Sequence, residues 1–245
     1  MQKKVLITGG GKGIGFTIAK KFVENGHKVM IVGRNIETLR EAAKELGNDT
    51  AFMAMDLAHL DSITEVLTKI NDALGGIDIL INNAGIHLKK DLLDVSDEEF
   101  QRIIQVNQNS VFALSREVAK QMVNAGSGVI LNISSMASQY GIPKVIAYTA
   151  AKSAIEGMTR AMAVELSPMG IRVNCIAPGF IKTEMSSKAL NNDPERKAKV
   201  LGRTPLGRLG LPEEVADAAY YLCSDQASYI TGVVLPVDGG NSISF

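Results

Sequence analysis

Tyr148 and Lys152 stand four residues apart in the run Tyr148-Thr149-Ala150-Ala151-Lys152. On a helix that spacing puts two side chains on one face, so a phenol and an ammonium would project into the same cleft. A free tyrosine titrates near ~10 and is a poor acid or base at neutral pH. A neighbouring ammonium favours the phenolate, and a second cation would add to the effect. Lowering the pKa by ~2–3 units needs roughly 3–4 kcal/mol, within reach of two close cations in a sheltered site. The chemistry indicated is proton transfer to or from oxygen. Tyr140 and Lys144 have the same spacing, but Pro143 and Gly141 lie between them. Proline breaks a helix and glycine weakens one, so this second pair is not expected to share a face.

A second cluster suits an anion. Thr8-Gly9-Gly10-Gly11-Lys12-Gly13-Ile14-Gly15 follows an apolar run and opens a helical pattern. Glycines let backbone approach a pyrophosphate, and the helix N-terminus offers free N–H groups and a positive dipole end. The strict G-x-G-x-x-G spacing is absent; Gly9, Gly13 and Gly15 set the pattern. A tight turn without a ligand would also use glycine, but the place of this loop after the first strand of a βαβ unit favours a dinucleotide. The expected contacts are Gly9, Gly11, Lys12, Gly13, Ile14 and Gly15. The second strand ends Ile31-Val32-Gly33-Arg34-Asn35, with no acid for a ribose 2′-hydroxyl before Glu37. Arg34 can instead pair with a 2′-phosphate and stack on adenine. Lys12 can add a second charge, so the expected cofactor is NADP(H).

These groups need a scaffold. Short β-branched runs at Lys4–Ile7, Lys28–Val32, Ala51–Ala54, Ile77–Ile81, Gly128–Ile133, Arg172–Ile176 and Val233–Pro236 read as strands buried on both faces. Helical patterns separate them at Gly13–Asn25, Ile36–Leu46, Leu60–Leu74, Asp97–Asn124, Ala147–Ser167 and Pro212–Cys223. Asn35 is an expected N-cap, and Ser96 with Glu99 forms a capping box. The alternation predicts an α/β chain: one doubly wound Rossmann-type domain over 1–245, with a mostly parallel seven-stranded sheet flanked by helices. The polar segment 182–211, directly after the sixth strand, is expected to be a substrate lid.

Composition narrows the function. The hydrophobic share of 46% supports a buried core. Lys plus Arg and Asp plus Glu both number 26, so there is no basic excess for nucleic acid. No apolar run approaches the ~20 residues of a membrane helix. His27, His59 and His87 are scattered, so no metal is expected. Two cysteines, Cys175 and Cys223, cannot form a disulfide framework and point to a reducing, cytoplasmic setting.

Taken in order, the Thr8–Gly15 loop, Asp56-Leu57, Asn82-Asn83-Ala84-Gly85, Asn107, Ser134-Ser135, Tyr148 with Lys152, and Pro178-Gly179 with Thr183 resemble the short-chain dehydrogenase/reductase family over essentially the whole chain. Among its branches the chain is most similar to 3-oxoacyl-carrier-protein reductases, with sugar and polyol dehydrogenases nearby. The resemblance implies that Ser135 hydrogen-bonds a substrate carbonyl. It implies that Tyr148 exchanges the proton and that Lys152 holds the nicotinamide ribose and tunes Tyr148. Asn107 would anchor a water linking Lys152 to solvent. Asp56 and Leu57 would contact adenine, and Asn83, Ala84 and Gly85 the ribose region. Pro178, Gly179, Ile181 and Thr183 would lie around the nicotinamide. Ser134 rivals Ser135, but neighbours on a strand point opposite ways. Ser138 departs from the family, which usually has glycine there.

The expected activity is hydride transfer between NADP(H) and a carbonyl or secondary alcohol. An acyl thioester on a carrier protein is one substrate class; a free sugar acid, sugar or polyol is the other. Asn124-Ala125-Gly126-Ser127-Gly128 and Pro168-Met169-Gly170 lack the basic residues that relatives use to dock an acidic carrier, although Arg116 and Lys120 could serve. A dinucleotide-sensing protein without turnover is the rival from another class, and the intact Asn107, Ser135, Tyr148 and Lys152 set speaks against it. The resemblance also implies a homotetramer, formed through the Asp97–Asn124 and Ala147–Ser167 helices; Ala150, Ala151, Ala154, Gly157 and Ala161 would allow close contact.

Overall fold

A computed structural model describes residues 2–47, 50–183 and 193–244. Seven strands form one sheet: β1 (Lys4–Thr8), β2 (Lys28–Gly33), β3 (Thr50–Ala54), β4 (Ile79–Asn82), β5 (Gly128–Ile133), β6 (Ile171–Pro178) and β7 (Val234–Val237). Their order is β3-β2-β1-β4-β5-β6-β7, and every pair is parallel. The chain reverses its direction of growth between β1 and β4. In open α/β sheets, ligands bind at the carboxyl ends of the strands beside such a switch point.

The absence of polar alternation in the strands follows from helices on both faces. Val5, Ile7, Val29, Ile31, Ile79 and Ile81 face one core, against α1 (Gly13–Glu24), α2 (Ile36–Leu46) and a late helix, Pro212–Cys223. Leu6, Met30, Val32, Leu80 and Ile130 face the other, against α3 (Ile63–Leu74), α5 (Ser110–Ala125) and α6 (Ile146–Leu166). Caps form as the sequence predicts. Asn35 Oδ1 accepts from Thr38 N at 2.9 Å, and Ser96 and Glu99 complete a capping box at the start of α4 (Asp97–Ile104).

Two elements differ from expectation. The anticipated helix Asp97–Asn124 is α4 and α5 joined by a π turn over Gln105–Asn109. The segment 182–211 is not wholly irregular: Asp193 caps α7 (Pro194–Arg203), whose proline occupies the first turn where its missing N–H costs nothing. Residues 184–192 of the anticipated lid lie outside the described residues. The late helix Pro212–Cys223 is therefore α8. Among the described residues no helix is long and apolar enough to cross a membrane, and no group of His, Cys, Asp and Glu is arranged to hold a metal ion.

A buried polar ladder fixes the sheet near its carboxyl edge. Asn82 Nδ2 donates to Asn132 Oδ1 and to Ser115 Oγ, and Asn132 Nδ2 donates to Thr159 Oγ1, each at 2.9 Å. It ties β4 and β5 to α5 and α6, so the helix carrying Tyr148 is held to the sheet by satisfied hydrogen bonds as well as by packing.

Candidate active site

The glycine loop is shaped for close backbone approach. Gly13 has φ 57°, in the left-handed region that glycine tolerates. A Cβ on Gly15 would stand 2.4 Å from both the Gly9 carbonyl oxygen and Asn83 Nδ2, so α1 packs on the loop only without a side chain there. Lys12, the N-cap of α1, makes no side-chain cap, and the first turn contains no acid. Its leading N–H groups are thus left for an external anion. A Cβ on Gly13 would reach Thr183 Cγ2 at 3.9 Å, which places Thr183 across from the loop. Gly11 lies against Thr38 of α2. Arg34 precedes that helix, exposed and without an ion pair among the described residues. A pyrophosphate fits this loop.

Other residues expected near a dinucleotide have structural duties. Asn83 Nδ2 donates to Thr8 O at 3.0 Å, while the N–H groups of Asn83 and Ala84 both donate to Thr8 Oγ1. These bonds strap the β4 end to the glycine loop. A Cβ on Gly179 would come within 2.6 Å of Asp238 Cα, so this glycine admits the turn after β7. Pro178 closes β6, and Ile181 is buried and bridged to Gly210. Asp56 Oδ1 caps its own turn through Ala58 N, and Leu57 is buried. Gly85 faces the reaction centre: a Cβ there would lie 3.3 Å from Asn107 Oδ1 and 3.8 Å from Lys152 Nζ.

The centre itself sits between β4, β5 and α6. Lys152 is 4% exposed, and its Nζ donates to Ile133 O at 2.7 Å. The same Nζ lies 5.7 Å from the centroid of the Tyr148 ring, so the two groups share a cleft as helix spacing predicts. Burial pushes the Lys152 ammonium down to about 8. Burial also raises the Tyr148 phenol above its ordinary value, and hydrogen bonding with Ser135 opposes the rise. The expected lowering of the Tyr148 pKa is not produced by the protein's own groups, because desolvation of the phenol outweighs its neighbours. Tyr140 and Lys144 diverge as anticipated. Tyr140 Oη contacts Asn241 Oδ1, whereas Lys144, at φ 68°, pairs with Asp91 at 2.9 Å.

Asn107 is fully buried in the π turn. Its Oδ1 accepts from Ile86 N at 2.8 Å and its Nδ2 donates to Ile86 O at 2.7 Å. Ser134 and Ser135 have different partners. Ser135 Oγ faces Tyr148 and accepts from Ala137 N, while Ser134 Oγ donates to Lys152 O.

Two neighbours escaped the sequence reasoning. Glu156 Oε1 accepts from Ser134 Oγ at 3.0 Å and from Ser138 Oγ, which also bonds Ser135 O. The hydroxyl that departs from the family thus bridges the serine loop to α6. Glu156 is four residues beyond Lys152, so the arithmetic that paired Tyr148 with Lys152 could have found it. The His87 ring centroid lies 4.7 Å from that of Tyr148. Metal ligation by histidine has a spacing pattern, whereas an aromatic contact between residues distant in sequence has no such signature.

Comparison with known proteins shows the family. Residues 9–242 match the family model described as enoyl-(acyl carrier protein) reductase. The 3-oxoacyl-[acyl-carrier-protein] reductase of Chlamydia muridarum is 42% identical over 244 residues, covering 98% of this chain and 97% of the relative. Among solved structures, a candidate gluconate dehydrogenase from Agrobacterium tumefaciens has a TM-score of 0.95 at 34% identity, covering 99% of this chain and 97% of that one. A variant of actinorhodin polyketide ketoreductase solved with NADPH has a TM-score of 0.93 at 30% identity, covering 98% and 97%. A likeness in sequence that runs from the glycine loop to the last turn goes well beyond a shared sheet, and this chain belongs to the short-chain dehydrogenase/reductase family, oxidoreductases acting on carbonyl and hydroxyl groups.

Proposed function

We propose that the protein is an NADPH-dependent carbonyl reductase whose substrate is a 3-oxoacyl thioester. The observation that carries the chemistry is the meeting of the Tyr148 phenol with Ser135 on one side and the Lys152 ammonium on the other. When bound, the dinucleotide supplies hydride to the carbonyl carbon. Ser135 and Tyr148 donate hydrogen bonds to the carbonyl oxygen and hold it in place. Tyr148 Oη then gives its proton to that oxygen as negative charge develops. Lys152 stabilises the phenolate left behind and positions the ribose. Reprotonation runs from solvent through a water and Lys152. Both side-chain groups of Asn107 are spent on Ile86, so a water held at this residue would be anchored through its main chain. The assay is NADPH oxidation with an acetoacetyl thioester; no turnover on any carbonyl would overturn the reading.

Preference for NADPH rests on Arg34 and Lys12, two exposed cations beside the expected adenosine end. The NADPH-bound ketoreductase neighbour supports the same choice. Arg34→Asp removes the partner of a 2′-phosphate and adds an acceptor for a 2′-hydroxyl. The expected result is a fall of at least tenfold in kcat/KM with NADPH, about 1.4 kcal/mol or more, and a rise with NADH. Equal use of both cofactors by the parent would sink the assignment.

A free sugar acid is the second reading. Arg116 and Lys120 share one carboxylate, that of Glu117, at 2.9 and 2.7 Å. This leaves little charge for docking an acidic carrier protein, and the likeness to the candidate gluconate dehydrogenase points the same way.

A homotetramer is the proposed assembly. On α5 and α6 Phe112 is 50% exposed and Val164 78% exposed. Between the same helices a groove of about 450 Å³ is lined by Phe112, Met162 and Leu166. Light scattering should give about 105 kDa, four times 26.2 kDa. The mass of a single chain would refute it.

A further inference from the structure

A chamber of about 410 Å³ opens beyond the carboxyl ends of β4, β5 and β6. Part of its wall is apolar, from Ile142, Pro143, Phe180 and Val200. The rest is cationic: Lys89, Lys144, Arg196, Lys199 and Arg203 line it, against the acids Asp193 and Glu195. Most of these charges are accounted for. Lys144 pairs with Asp91 and Lys199 with Glu195, at 2.9 and 2.8 Å. Arg203 lies over the Tyr140 ring and donates to Asn241 O. Asp193 Oδ1 accepts from the main-chain N–H of Arg196 as the cap of α7. Lys89 and Arg196 make no ion pair among the described residues, although α7 and the loop after β4 bring both to one chamber.

The loop after β4 links the chamber to the reaction centre, since Lys89 lines the chamber and His87, two residues earlier, stands against Tyr148. This ring contacts Tyr148, and its pKa is held below the ordinary histidine value by partial desolvation, then by Arg196 and Lys89. Lys89 follows by two residues a ring that touches the proton donor, and Arg196 shares its chamber, so both stand where the far end of a small substrate can meet them. The Lys90 N–H donates to Lys144 O at 2.9 Å, which joins the loop bearing Lys89 to the loop leading into α6. With Asp193 spent on the cap of α7 and Glu195 on Lys199, no carboxylate among the described residues is paired with Lys89 or Arg196, and such cations in a partly apolar pocket favour an anionic ligand group over a neutral one.

We propose that Lys89 and Arg196 form a receptor for an anionic group of the substrate, a carboxylate or a phosphate, and so set which end of the molecule reaches Tyr148. Arg196 offers a planar fork suited to two oxygens, and Lys89 a point charge. The apolar wall takes the carbon chain between anion and carbonyl. This inference rests on the carbonyl-reductase reading but is tested separately from it. An acyl thioester would present the phosphate of its pantetheine arm, and a sugar acid its carboxylate.

The test is calorimetric titration of the whole protein, loaded with NADP⁺, using 4′-phosphopantetheine and D-gluconate. Their neutral counterparts are pantetheine and sorbitol. At least one anion should bind tenfold or more tightly than its counterpart, and the preference should shrink with added salt. Lys89→Gln with Arg196→Gln should abolish the preference. Lys69→Gln, which changes an exposed cation on α3, should keep it. The anion that shows the preference distinguishes the two sources. Equal binding of anionic and neutral ligands, or a preference that survives the double substitution, would overturn the receptor. Because binding is read without turnover, failure to reduce any carbonyl would defeat the catalytic reading and leave this result standing on its own.

Discussion

Tyr148→Phe should reduce carbonyl turnover at least a thousandfold and leave dinucleotide affinity within about threefold. The substitution removes one oxygen. The ring keeps its contact with His87 and its place over Lys152, so the cleft has no reason to collapse. General acid catalysis by a positioned group contributes roughly 10²–10⁴. Loss of the Tyr148 hydrogen bond to the substrate oxygen adds to that, because Ser135 alone then holds the carbonyl. Single-turnover kinetics with NADPH would measure the chemical step, and fluorescence titration the cofactor affinity. A variant retaining more than a tenth of parental activity would show that another group supplies the proton.

The second large effect joins activity to stability. Lys152→Met should lose at least a thousandfold in turnover while making the cofactor-free protein more stable near neutral pH. The ammonium is buried, with its pKa lowered from 10.5 to about 8. A lysine that titrates lower when folded binds its proton more weakly in the native state than in the unfolded chain. Below about pH 8 both states are protonated, and the fold bears the whole cost of the buried charge, roughly 3 kcal/mol. Between about 8 and 10.5 the unfolded chain still holds a proton that the native state has shed, so stability rises with pH. Methionine removes this dependence and fits the same stem. It also leaves Ile133 O without its donor, which returns about 1 kcal/mol. The net gain expected in urea unfolding at pH 7 is about 1–2 kcal/mol, and the variant's advantage should shrink as pH is raised towards 10. A variant less stable than the parent at pH 7 would mean that the buried ammonium is not a burden on the fold.

Much of this architecture could be read before any coordinates. β-branched runs bounded by glycine located the strands because strands covered on both faces leave few alternatives. Ile36–Leu46, Gly128–Ile133 and Pro212–Cys223 match the anticipated limits, as caps and turns mark their ends plainly. The π turn was not legible, since one extra residue in a helix leaves no compositional trace. The segment holding α7 reads in sequence only as a polar substrate lid, because this helix buries one residue, Val200, and shows no apolar stripe; the Asp193-Pro194 start is the available sign of a helix. In the site, helix spacing located Tyr148 and Lys152. Asn83 carries a duty that resemblance does not announce: its side-chain amide ties the end of β4 to Thr8 and Gly9. Contacts between residues distant in sequence, such as His87 on Tyr148, depend on how loops fold over the sheet edge, and local pattern does not encode that.

Each residue advances an α-helix by about 100°, so the widened turn at Gln105–Asn109 resets the rotational phase between α4 and α5. α4 buries Ile103, and α5 seats Val111, Leu114 and Val118 against the chain. With ordinary winding throughout, one of the two stripes would be turned towards water. Trimming a single residue from this stretch would therefore confront the chain with a choice: preserve the inward seat of Asn107, or keep the downstream half of the rod facing its neighbours.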